Sequence, residues 1–183
     1  GYDENGNQNS IRYYNAAGNL TLVNGIAGND IKLDRRGNIL ENLPLGTDEK
    51  QAPSKLKQVF KYDEYDNLIE SSLYGKDGKP AANYQGVHKY QYKYNSRNQE
   101  IENARYDTNG NLTAGSDDGW AISRTEYDDR GNRVKLSYFG ADKMPCLCDE
   151  GWSSATYEYD SFGNITRQCF FGTDGKPTPS DKF

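Results

Sequence analysis

Histidine is almost missing from this chain: His88 is the single copy among 183 residues. A His-dependent nucleophilic triad would have to centre on it, and there is no His-Glu-x-x-His run for a metalloprotease. A structural zinc site needs four suitable ligands. The three cysteines, Cys146, Cys148 and Cys169, lie far from His88 in sequence. Their odd number leaves at least one thiol unpaired within the chain. One of Cys146 and Cys148 can bridge to Cys169 if the Cα separation allows, the alternative being three incidental thiols. The sequence also has no Gly-x-Ser-x-Gly elbow and no phosphate-binding Gly loop with Lys. It shows no signal peptide and nothing near the roughly 20 apolar residues of a membrane-spanning helix. Net charge is -5 with acids and bases interspersed. Without a concentrated basic patch, nucleic acid is not an expected partner.

Aliphatic material is scarce as well, since only 34% of residues are hydrophobic. That is too little for a thick core and by itself points toward disorder. Aromatics argue the other way. They make up 13% of the chain and include 15 tyrosines, rings that bury large areas while their hydroxyls find partners. Regularly spaced tyrosine with little aliphatic content suits a thin array of stacked units.

Such units are present. An aromatic or Leu followed by Asp or Asn leads into a turn rich in Gly and Asn at Tyr2-Asp3, Leu33-Asp34, Tyr62-Asp63, Tyr94-Asn95, Tyr127-Asp128 and Tyr159-Asp160. Successive anchors are 31, 29, 32, 33 and 32 residues apart. Twelve residues after each comes Tyr14, Leu45, Tyr74, Tyr106, Phe139 or Phe171, then a second turn such as Asp77-Gly78-Lys79-Pro80. A Gly followed by an apolar residue precedes most anchors: Gly25-Ile26, Gly86-Val87, Gly119-Trp120 and Gly151-Trp152, with Ser54-Lys55 as the exception. Spacing varies only between the second turn and this pair, the mark of a surface loop between registered strands. The chain reads as one array of about six repeats, approximately 1-24, 25-53, 54-85, 86-118, 119-150 and 151-183.

Residues entering each anchor alternate, as in Tyr90, Tyr92 and Tyr94 against Gln91 and Lys93, the period of a half-buried strand. Second strands are predicted over Leu68 to Tyr74 and Ile165 to Phe171, closing β-hairpins through the Asp-x-x-Gly-Asn turn. Gly and Pro about every dozen residues exclude long helices. The expected fold is all-β, an elongated antiparallel array of tandem hairpins, as an extended sheet or a β-solenoid. Open sheet edges favour edge-to-edge pairing into a homodimer.

The Tyr-Asp-x-x-Gly-Asn pattern, clearest at Tyr127, Asp128, Gly131, Asn132 and at Tyr159, Asp160, Gly163, Asn164, resembles the YD repeat of RHS-like bacterial surface and secreted proteins. The resemblance touches every unit. It implies β-hairpin arrays in an extracellular or cell-surface setting. Family members wrap into shells around cargo, but units of about 32 residues in six copies depart from that pattern, so encapsulation does not carry over. Gly119-Trp120 leading to Tyr127, and Gly151-Trp152 leading to Tyr159, are similar to choline-binding and related cell-wall-binding repeats, although only two of six units carry the Trp.

Three groups of residues are chemical candidates. Trp120 and Trp152 occupy equivalent sites, and large aromatics stack on sugars or anchor protein interfaces. The alternative is that they cap the array's core, as their equivalents Ile26 and Val87 would. Asp107, Asn109, Asn111 and Asp118 offer oxygens at calcium-loop spacing. Leu112 stands where such a loop needs Gly, and Asp118 where it needs Glu, so a plain β-turn is the competing reading. His88 has Ala27, Ala121 and Ser153 as its equivalents, a variability expected of a solvent-facing residue. No carboxylate pair stands out for glycoside hydrolysis, no cofactor is implied, and no residue is assigned a catalytic role. A non-enzymatic bacterial surface or secreted protein is expected, binding a protein or glycan along its β surface. The alternatives are a wall-anchoring module with aromatic pockets and a polysaccharide hydrolase with an unrecognised carboxylate pair.

Overall fold

The structure, a computed structural model, describes residues 1–53 and 55–178; the exceptional Ser54 and the last five residues of the sixth repeat lie outside it. It is all-β, with eleven strands: β1 (Ser10–Arg12), β2 (Gly28–Leu33), β3 (Ile39–Leu45), β4 (Lys57–Tyr62), β5 (Leu68–Tyr74), β6 (Lys89–Tyr94), β7 (Glu100–Tyr106), β8 (Ile122–Tyr127), β9 (Arg133–Phe139), β10 (Ser154–Tyr159) and β11 (Ile165–Phe171). The chain forms two compact units, residues 1–83 and 84–183. The first holds β1 to β5 and the second β6 to β11, each an open antiparallel meander in chain order.

Two kinds of pairing build each unit. Within a hairpin, strands pair over six residues, from Lys89↔Tyr106 to Tyr94↔Glu100 in β6–β7. Between hairpins only two or three residues pair, such as Glu102↔Arg124, Asn103↔Ser123 and Ala104↔Ile122. The cause is a register shift next to the anchor in all five complete hairpins. One extra residue (Leu40, Ile69, Ile101, Val134 or Thr166) bulges there and bends its strand away from the next hairpin.

The anchor tyrosine spans the gap this opens. The Tyr127 hydroxyl donates to the Glu100 carbonyl at 3.0 Å, and that of Tyr159 to the Arg133 carbonyl at 2.8 Å. Arginines from the turns reach the same way. Arg36 donates to the Glu64 carbonyl at 2.8 Å and Arg97 to the Asp129 carbonyl at 2.6 Å. At Tyr127 and Tyr159 one side chain thus serves two ends, an apolar ring for packing and a hydroxyl that satisfies a backbone carbonyl of the preceding hairpin.

The turn after the anchor is locked by its own aspartate. Asp63 Oδ1 accepts from the backbone N–H groups of Tyr65 and Asn67, each at 2.9 Å, while Oδ2 accepts from the Asn67 side chain at 2.9 Å. Asp128 with Asn132 and Asp160 with Asn164 repeat the arrangement. The chain turns through positive φ at Gly131 and Gly163, where Asp66 and Asn98 take the same conformation in their units, as short polar side chains can.

Buried residues gather at the opposite end of each hairpin, before its first strand. Ala27, Ala121 and Ser153 are buried, and so is His88 at 8% exposure. The solvent-facing position expected for His88 is therefore an interior one. Its equivalents Ala27, Ala121 and Ser153 vary in identity but are small, because they lie beneath the Gly-apolar corner. Positive φ at Gly25, Gly86, Gly119 and Gly151 makes that corner.

Candidate functional site

Both tryptophans belong to one row of stacked side chains in the second unit. Trp120 stacks on Tyr138, with ring centroids 5.4 Å apart. Tyr138 lies 5.1 Å from Trp152, and Trp152 lies 5.4 Å from Phe170. Trp152 is only 5% exposed and packs with Cys148, Ala155 and Tyr157. Its indole N–H donates to Glu150 Oε2 at 3.0 Å. Trp120 is half-buried at the near end of the row. Burial pushes the Tyr138 hydroxyl up to about 12. Trp152 is thus enclosed by the row, while Trp120 meets the row on one side and a cation on the other.

That cation is Arg105. Its guanidinium lies 3.3 Å over the Trp120 ring and 5.9 Å from the Tyr90 ring. The equivalents of Arg105 are Tyr13, Pro44, Leu73, Tyr138 and Phe170, so a charge has entered an uncharged row. Asp118 compensates it through two hydrogen bonds, Nη2 reaching Oδ2 at 2.8 Å and Nη1 reaching Oδ1. The side chains are 9% and 24% exposed, a largely desolvated pair. Gly115 leaves it room: a Cβ there would sit 2.6 Å from Arg105 Nη1 and 2.7 Å from Asp118 Oδ1. Sequence reasoning passed over Arg105; the signal was a charge standing where every other copy has an uncharged residue.

The calcium-spaced residues are dispersed by the same pairing. Asp107 Oδ1 accepts from the backbone of Asn109 and Asn111 at 2.9 Å each, in the ordinary locked turn. The Asn111 N–H and the other turn donors hold its carboxyl below the usual range. Asp118 faces Arg105 instead. Among the described residues, no group of three or more His, Cys, Asp or Glu could hold a metal. The three cysteines are free thiols.

The other sheet face carries a charge ladder. Directly opposite residues pair as Lys32–Glu41 (3.4 Å), Lys61–Glu70 (2.8 Å) and Lys93–Glu102 (2.7 Å), then with signs exchanged as Glu126–Lys135 (3.4 Å) and Glu158–Arg167 (3.2 Å). Beside them, cations cover the rings that end the second strands: Lys57 over Tyr74, Lys89 over Tyr106 and Arg124 over Phe139. Several turn and loop aromatics remain exposed, among them Tyr65, Tyr84 and Phe162, the last at 89%.

The fold defines the chain as a tandem β-hairpin repeat protein. It superposes on the crystal structure of TcdB2-TccC3-TEV with a TM-score of 0.53 at 14% identity, over 88% of this chain and 8% of that one. The crystal structure of TcdB2-TccC3-Cdc42 gives a TM-score of 0.35 at 17% identity, over 75% of this chain and 7% of that one. The chain spans less than a tenth of the length of these structures. No protein-family model and no curated protein matches the sequence. No helix among the described residues is long and apolar enough to cross a membrane.

Proposed function

We propose that this chain is a repeat module of a YD-repeat, RHS-like bacterial surface or secreted protein, and that it binds a protein or glycan partner along its β surface without catalysis. The observation that carries the reading is the display itself. Among the described residues neither a helix nor a second sheet packs on either unit, so the registered side chains of the charge ladder stay available. Locked turns and paired charges hold them in fixed positions, which lowers the ordering cost of binding. Exposed aromatics such as Phe162 and Tyr84 supply apolar contact area of the kind that anchors interfaces. The fold likeness to TcdB2-TccC3-TEV and the repeated Tyr-Asp turns support the family assignment.

The test is to screen the purified chain against a glycan array, a panel of polysaccharides for turnover, and envelope and host protein extracts by crosslinking. Saturable binding without turnover is expected. Turnover that disappears on substituting a carboxylate would replace this reading with the hydrolase one. A wall-anchoring role is better probed with Trp120→Ala than with Trp152→Ala, because the enclosed Trp152 is part of the fold's support.

A further inference from the structure

One groove in the second unit combines an apolar floor with an excess of positive charge. It has a volume of about 330 Å³ and lies between the β7–β8 strands and the turn that follows β9. Ala104, Leu112 and Ile122 form its floor, and Lys93, Arg124 and Lys143 its rim. Glu102 is the one carboxylate in the lining, and it already serves two cations, Lys93 at 2.7 Å and Arg124 at 2.8 Å. Three cations facing one shared carboxylate is an unusual balance in a chain of net charge -5.

Lys143 marks the site further. It sits at positive φ (65°) in its turn, where Gly78, Gly110 and Gly175 are the equivalents. A long side chain there costs backbone energy that glycine avoids. Glu49, at the same turn position in the first unit, ion-pairs with Arg12 at 3.4 Å. Among the described residues none forms an ion pair with Lys143, and its side chain lines the groove. One repeat later the corresponding hollow has Gly175 in place of Lys143 and keeps a single cation, Lys135. The charge is therefore local, suited to one or two carboxylates rather than to a long polyanion.

We infer that this groove binds an acidic peptide segment of a partner protein, carboxylates on the cationic rim and an aliphatic side chain on the floor. The inference rests on the partner-binding reading above and gives it a place and a chemistry. An acidic glycan fits less well. Pyranose rings stack on bare aromatic faces, whereas the Tyr106 ring is covered by Lys89 at 4.7 Å and the Phe139 ring by Arg124 at 4.8 Å.

The test uses a blocked pentapeptide of alternating Glu and Leu as probe, with a Lys-Leu peptide and polygalacturonate as comparisons, followed by calorimetry and amide chemical shifts of the whole chain. The Glu-Leu peptide should bind, shift amides at Lys93, Arg124 and Lys143, and weaken as salt rises. Lys143→Glu and Arg124→Gln should each weaken it by about tenfold, and Lys176→Glu, in the next turn, should not. Glu49 already places a carboxylate at this turn position, so Lys143→Glu keeps the fold; Arg124→Gln tests the rim independently. Peptide binding that ignores both substitutions, shifts confined to other strands, no peptide binding, or binding of polygalacturonate alone would each overturn the groove assignment. Shifts on other strands would leave the partner-binding reading standing. Polysaccharide turnover would remove that reading without touching the groove.

Discussion

Glu126 stands directly across from Lys135, 3.4 Å away, in the place where the preceding hairpin sets Lys93 across from Glu102. The charges have changed places while the attraction is kept. Directly opposed residues in antiparallel strands are close enough that like charges repel and unlike charges attract. Glu126→Lys alone should therefore destabilise the chain by about 0.5 kcal/mol, the scale of an exposed pair. Glu126→Lys with Lys135→Glu should recover most of that. Urea unfolding of the two variants checks it, and a double variant no more stable than the single one would show the pairing to be incidental.

Acid should unfold the chain through its turns. Hydrogen bonds from Asn132 and Asn164 hold the Asp128 and Asp160 carboxyls below their ordinary value, and backbone N–H groups of Asn7 and Asn111 do the same for Asp3 and Asp107. A depressed folded-state value means stability that is fully present above the unfolded value, roughly 3.9, and lost as pH falls through the folded one. Glu100 runs the other way. Burial raises its carboxyl, so it weakens the fold above its unfolded value and relieves it in acid. With these turns, and those of Asp34, Asp63 and Asp174 lowered likewise, set against one glutamate, Tm should stay flat near neutrality and drop below about pH 4. Asp128→Asn should soften the drop less than Asp128→Ala lowers the whole curve, since Asn95 caps its own turn as an amide. A Tm unchanged down to pH 2 would refute the argument.

Much of this frame was legible in the amino-acid order. Strands predicted at Leu68 to Tyr74 and Ile165 to Phe171 are β5 and β11 with those bounds. Local rules suffice there, because alternation and turn chemistry act within a few residues. What escaped depends on partners brought together by the fold. The burial of His88 follows from a corner made by Gly86, and small residues at Ala27, Ala121 and Ser153 were its faint trace. The fate of Asp118 depends on a loop of variable length that delivers it to Arg105, thirteen residues away. Trp152 was ambiguous between ligand stacking and packing because both uses ask for the same large ring; only its neighbours Tyr138 and Phe170 distinguish them.

The Arg105–Asp118 pair should behave as a buried ion pair. Asp118→Asn leaves a desolvated guanidinium whose Nε already lacks a hydrogen-bond partner, and should cost about 3 kcal/mol. Arg105→Leu together with Asp118→Asn restores the side chain that the earlier hairpin has at Leu73 and should come within about 1 kcal/mol of the parent. Gly115→Ala should mimic the single loss by pressing its methyl on both partners. Chemical denaturation of the variants decides the matter. If Asp118→Asn is silent, the charge on Arg105 is being met by solvent.

Lys143→Gly separates stability from binding. At φ 65° a lysine is strained, and the glycines at Gly78, Gly110 and Gly175 show what the turn itself prefers. Glycine removes the strain but widens the unfolded ensemble, so the net gain should be modest, up to about 1 kcal/mol. A residue kept only for the fold would give no other effect. If Lys143 is kept for the groove, the same substitution should raise Tm while weakening the Glu-Leu peptide, because one of three rim cations is gone. Opposite movement of Tm and affinity in one variant cannot come from general misfolding, which would lower both. A more stable variant with unchanged peptide affinity would leave the strain at Lys143 without a purpose in binding and would remove that lysine from the site.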